Sequence, residues 1–212
     1  MAAVSIRLRL LWVCLMSKPF VISTPQATLV VEPIAPLSEL EREADERDLQ
    51  SIEAFTSPSR RAERLAWRRV LRRLSPDAEV EYEPSGAPRL KNSPYTYISV
   101  SHCRDSVAVV LSCNVCGVDV ERVDRDFARV AERYMTAAER SLCSEEWWAA
   151  AVWCAKECLY KMAGREGTDF KRDIIIESVD ASTSQILCRA YGEPMTLHYA
   201  MPDEKHLLAY SL

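Results

Sequence analysis

Asp119 and Glu121 are two residues apart, with Val118 and Val120 around them. On an extended strand both carboxylates project from one face while the valines pack against the other. Two adjacent acids repel unless a cation or a base lies between them, so a hard dication such as Mg²⁺ is their natural partner. A solvent-facing polar strand edge gives the same pattern. A second group, Trp153-Cys-Ala-Lys156-Glu157-Cys-Leu-Tyr160-Lys161, places Glu157 and Lys161 one helical turn apart, with Lys156 and Tyr160 beside them. Read plainly, Glu157 with Lys161 is a routine helix ion pair and Trp153 is core. Read as chemistry, Glu157 is a third carboxylate for the Asp119/Glu121 pair, and the lysines hold phosphate charge. The third group, Ser101-His102, ends a strand. Its two side chains point to opposite faces, which excludes a nucleophile pair but allows both to donate to phosphate oxygens. No G-x-S-x-G elbow, Walker pattern or dinucleotide-binding glycine pattern is present, and five glycines leave little material for them.

The elements that must position these residues follow from pattern. Thr28 to Ile34 reads as a strand closed by Pro33 and Pro36, and Leu37 to Phe55 as an acidic helix. After Ser57-Pro58, a helix over Arg60 to Leu74 puts Ala66, Val70, Leu71 and Leu74 on one face. Tyr95 to Val100, Ser106 to Ser112 and Gly117 to Glu121 read as three strands of one antiparallel sheet, preceded by a short strand near Val80. Short helices at 127–134 and 136–142 follow, the second opened by a Thr136-x-x-Glu139 capping box. A longer helix from Glu145 to Met162 stops at Gly164, and 174–212 reads as strands. The order predicts an α+β fold of two similar halves in pseudo-twofold arrangement, each a small antiparallel sheet packed with a long helix. The expected division is an N-terminal extension at 1–20, a first half at 21–100 and a second half at 101–212.

Taken together, Ser101-His102, Gly117-Val-Asp119-Val-Glu121, Glu139 and Trp153-x-x-Lys156-Glu157-x-x-x-Lys161 resemble the 4′-phosphopantetheinyl transferase superfamily in type, order and separation. Chain length, and the arginine-rich helix before Gly86-Ala87-Pro88, resemble its larger pseudo-dimeric type that activates peptide and polyketide synthetases. The resemblance covers roughly Ser57 to Ile176. It implies Mg²⁺-dependent transfer of phosphopantetheine from coenzyme A to a serine of an apo acyl or peptidyl carrier protein, releasing adenosine 3′,5′-bisphosphate. It further implies Asp119, Glu121 and Glu157 as metal ligands, and Glu157, Lys161 and Lys156 as catalytic residues. Ser101, His102, Arg60, Arg61, Arg68 and Arg89 are then the expected CoA contacts. The larger type commonly carries Gly-Lys-Pro where this chain has Gly86-Ala87-Pro88. Either Arg89 reaches round the turn to replace that lysine, or CoA binds more weakly. A small hydroxyl residue usually follows the histidine, and here it is Cys103. The alternative function is a degenerate member that binds CoA or a carrier protein without turnover.

Composition reads as that of one ordinary soluble protein. The chain has 212 residues, 48% apolar and 27% charged, with a formal charge of −4. That is too hydrophobic for a disordered tail. No apolar run reaches the roughly 20 residues that span a bilayer. The small net charge hides an asymmetry. Arg60 to Arg73 contains seven arginines and one Glu, whereas Glu39 to Asp48 contains six acids and two arginines. The basic run is either a solvated helix face or an anion site, and the resemblance favours the anion site. No recognition motif supports nucleic-acid binding. Eight scattered cysteines read as reduced thiols. Arg7 to Leu15 imitates a signal peptide but lacks a cleavage site, which favours an upstream extension with Met16 as an alternative start. The expectation is a cytoplasmic monomer that engages neither membrane nor nucleic acid.

Overall fold

The computed structural model describes residues 18–83 and 86–212; of the extension expected at 1–20, residues 1–17 with Met16 lie outside them. Two antiparallel sheets form the centre. The first contains β1 (Phe20–Ser23), β2 (Ala27–Pro33), β3 (Glu79–Tyr82), β4 (Pro88–Lys91), β5 (Tyr97–His102) and β6 (Ser106–Ser112), in the order β1-β2-β6-β5-β4-β3. The second contains β7 (Gly117–Arg122), β8 (Ile174–Asp180), β9 (Gln185–Ala190), β10 (Glu193–Ala200) and β11 (His206–Ser211), in the order β7-β11-β10-β9-β8. Each sheet carries a long helix, so the α+β architecture of two similar halves is observed.

β6 shows how the layers arise. Val107, Val109 and Leu111 join Leu65, Ala66, Val70 and Leu71 of the long helix at Pro58–Leu74 in one core. Ala108 and Val110, on the opposite face, meet Val118 and Val120 of β7 and Leu208 of β11. A strand buried on both faces has no polar side, which is why Ser106 to Ser112 is a continuous apolar run. β11 is also two-faced: Leu208 enters the core between the sheets, while Leu207 and Ala209 pack in the cluster that contains the helix Trp148–Ala163.

β7 departs from the expected three-stranded sheet. β5 and β6 pair with each other, but β7 pairs with β11, so the chain changes sheets between Ser112 and Gly117. Where β5 runs beside β7, serine hydroxyls replace a ladder. The Val118 N–H donates to Ser99 Oγ at 3.1 Å and the Val120 N–H to Ser101 Oγ at 3.2 Å.

The acidic stretch forms two helices, α1 (Leu37–Glu43) and α2 (Glu46–Gln50), where one is expected. The backbone extends at Ala44, and Asp45 then caps α2 by accepting the Asp48 N–H at 2.8 Å. The Pro58–Leu74 helix is α3, and it takes up that acid. Arg61 pairs with Glu41 at 2.6 Å, Arg68 and Arg72 pair with buried Asp48, and Arg69 and Arg73 pair with buried Glu32. The arginine run is thus largely closed on itself, an arrangement between the two readings of the sequence.

A 3₁₀ turn at Ala128–Arg133 and the short helix α4 (Ala137–Arg140) lead to α5, the Trp148–Ala163 helix. The capping box is present, and Gly164 ends α5 in the left-handed conformation at φ 58°. Among the described residues no helix is long and apolar enough to cross a membrane.

Candidate active site

The site lies where β7 meets α5. Val118 and Val120 are fully buried between the sheets, so alternation turns Asp119 and Glu121 to the α5 side. Gly117 permits the contact: a Cβ there would lie 2.6 Å from Met162 Cγ and 2.8 Å from the Cys158 carbonyl. Glu157 and Lys161 on α5 thereby reach the strand acids.

Asp119 is 5% exposed. Its Oδ1 accepts from Lys161 Nζ at 2.6 Å and from Ser101 Oγ at 2.7 Å. Lys161 also donates to the Val118 carbonyl at 3.1 Å. The second oxygen, Oδ2, is buried without a hydrogen-bond partner. A carboxylate held this firmly on one oxygen and bare on the other is poised to bind a cation, since an unpartnered buried anionic oxygen is costly.

Its neighbours carry the same tension. Glu121 is pushed above the ordinary carboxylate range by burial and then by the Asp119 charge, against the pull of Arg125 and the Trp153 indole. Glu157 is raised in the same way, by burial first and by Asp119 next, with Lys161 opposing. Glu121 and Glu157, each raised in part by the Asp119 charge, gain from positive charge among the three, and a hard dication with oxygen ligands fits that donor set. The three are less tightly gathered than a closed metal cage. Among the described residues, the one trio of possible ligands within 4.8 Å of one another is Cys103, Asp105 and His206.

Two openings reach the cluster. A cleft of about 480 Å³ runs between the 86–89 turn, β5 and the end of α5, with Lys161 in its wall. On the other side Glu121 lines a hollow with His102 and Arg125.

The remaining predicted residues fall in three places. Ser101 and His102 separate as strand alternation requires. Ser101 faces the seam and binds Asp119, whereas His102 faces α3, 3.6 Å from Glu63, in a hollow shared with Arg60, Arg64 and Trp67. Arg60 is exposed and has no acidic partner among the described residues. Arg61 and Arg68 sit on Glu41 and Asp48, and Arg89 sits on Glu83 at 2.8 Å with its guanidinium 4.0 Å from the Tyr97 ring centre. Lys156 lies in the core rather than beside Lys161. It is fully buried, pairs with Glu139 at 2.7 Å and donates to the Phe170 carbonyl at 2.6 Å. Burial lowers its pKa against the raising effect of Glu139. Glu139 also closes the capping box and accepts the Ile176 N–H at 2.9 Å, so this pair ties α4, α5 and β8 together.

Sequence reasoning missed Arg125, which pairs with Glu121 at 2.9 Å, and Arg64, which donates to Tyr82 at 2.9 Å beside the His102 hollow. Arg125 follows the strand end in a turn, where no periodic spacing marks it. No curated protein matches the chain. Residues 115–210, the span that supplies Asp119, Glu121, Glu157 and Lys161, match the model of the 4′-phosphopantetheinyl transferase superfamily.

Proposed function

We propose that the protein transfers the 4′-phosphopantetheine group of coenzyme A to a serine of an apo acyl or peptidyl carrier protein, with Mg²⁺ held by Asp119, Glu121 and Glu157. The observation that carries this reading is the bare, buried Oδ2 of Asp119 beside two acids that its charge raises. When bound by these three carboxylates, Mg²⁺ would supply positive charge that stabilises the charge developing on the leaving phosphate.

The chain's own groups do the rest. Glu157 takes the proton of the carrier serine, whose oxygen attacks the phosphorus that bears pantetheine. Its raised pKa suits a base working near neutrality. The bond to the adenosine 3′,5′-bisphosphate oxygen breaks, and Lys161, already anchored on Asp119, balances the charge on that leaving group. Lys156 acts through position, holding α5 against α4 so that Glu157 and Lys161 keep their aim. Ser101 fixes Asp119 by its hydrogen bond. His102 and Arg60 offer donors for the nucleotide phosphates in their shared hollow, and Arg89 lines the cleft on the side where Ala87 replaces a lysine.

The test is the intact mass of an apo carrier protein incubated with this protein, CoA and Mg²⁺, beside an Asp119→Ala control. Gain of one phosphopantetheine by the wild-type reaction alone supports reaction and metal site together. No gain with several carriers, at retained CoA binding, replaces this reading with a binder that does not turn over.

A further inference from the structure

A second cluster lies outside the carboxylate site. Cys103 and Asp105 sit on the turn between β5 and β6, and His206 begins β11. Their ligand atoms all lie within 4.8 Å of one another. His206 is 5% exposed, with Nε2 2.9 Å from Asp105 Oδ1. Its Nδ1 lies 2.9 and 2.8 Å from the two oxygens of Asp203. Asp203 is itself fixed, because its Oδ1 accepts the N–H groups of Lys205 and His206 at 2.7 and 2.9 Å. The turn is fixed as well: the Cys103 N–H donates to the Ser106 carbonyl and the Ile34 N–H to the Asp105 carbonyl, each at 2.9 Å. Arg122 holds the other oxygen of Asp105, leaving Oδ1 toward the cluster.

A thiol, a carboxylate and an imidazole whose far nitrogen is gripped by a second carboxylate form a donor set of mixed softness. It suits zinc and does not suit magnesium, which demands oxygen ligands. The Asp203–His206 contact is the arrangement that orients a metal-bound histidine and fixes its tautomer.

We propose that Cys103, Asp105 and His206 form a zinc site, with Asp203 as the residue that positions His206. Without metal, Cys103, Asp105 and Asp203 favour the imidazolium against its burial and push His206 up to about 10. On binding, zinc takes the Nε2 lone pair, the Cys103 sulfur and Asp105 Oδ1, and the protons of Nε2 and the thiol pass to solvent. The ion joins the β5–β6 turn of the first sheet to β11 of the second. These atoms are distinct from those of the transferase reading, so either assignment can fail without the other.

The test uses Co²⁺ as an optical substitute for zinc on the full chain, with Mg²⁺ in excess to occupy oxygen-only sites. The wild type is expected to bind one Co²⁺ with a thiolate-to-cobalt charge-transfer absorption that zinc abolishes. Cys103→Ala, a change at a half-buried turn residue, is expected to lose that band while keeping its metal-free melting temperature. Cys113→Ala, at an exposed cysteine, should keep the band. Asp203→Asn should keep it too, but weaken binding by about 10–100-fold. A wild type with no thiolate band at saturating Co²⁺, or a band that survives in Cys103→Ala, overturns the proposal.

Discussion

The two long helices carry cations to opposite ends. On α3, the arginines at 61, 68, 69, 72 and 73 meet acids supplied by α1, α2 and β2, two of which, Glu32 and Asp48, are buried. On α5 the balance tips the other way. Lys156 and Lys161 have one acid each, Glu139 and Asp119, while Glu121 relies on Arg125 and the Glu157 side chain makes no hydrogen bond or ion pair among the described residues. Charge that closes on itself holds a fold together. Charge left in surplus at a cleft favours an oppositely charged ligand.

Five substitutions would sharpen or break this contrast. Glu157→Gln is expected to lower transfer by about 10²–10⁴-fold, the range for loss of a general base. Its melting temperature should stay level or rise, because a half-buried like charge is removed; the two readouts are the rate of carrier mass gain and thermal melting. Asp48→Ala should behave in the opposite manner. It leaves Arg68 and Arg72 without their buried partner at a cost of about 3–5 kcal/mol by denaturant titration, with transfer per folded molecule retained. A loss of turnover at unchanged stability would move the α3 arginines into the catalytic machinery. Gly117→Ala forces β7 away from Met162 and the Cys158 carbonyl, and should cost about 1–3 kcal/mol together with some transfer. The smallest effects separate two adjacent arginines. Arg60→Ala should weaken CoA binding measured by calorimetry with stability within about 0.5 kcal/mol of wild type. Arg61→Ala, at a half-exposed pair, should shift stability by at most about 1 kcal/mol and CoA affinity less than Arg60→Ala.

What was readable in the sequence is what depends on neighbours along the chain. Alternation fixed the common face of Asp119 and Glu121, helical spacing joined Glu157 to Lys161, and the Thr136 capping box and the Gly164 stop stand where their residue types require. Strand pairing is a property of distant segments, which explains why β7 joins β11 across more than half of the second half's length instead of the adjacent β6. The partners of the arginine run were out of reach for the same reason, since Glu32 and Asp48 are brought to α3 by the fold. Lys156 sits beside Glu157 in sequence, but one step along a helix turns a side chain by about 100°. That rotation carries it from the cleft into the core. Cys103 had no account at all until β11 set His206 against it.

The serine seam also has a mechanical meaning. Ser101 Oγ both receives the Val120 N–H that docks β7 on β5 and donates to the oxygen of Asp119 that Lys161 shares. Alignment of the two halves and the aim of that carboxylate are therefore a single adjustable quantity. Any shift of β7 against β5 is felt at Asp119 through one hydroxyl, and Ser101→Ala would uncouple them.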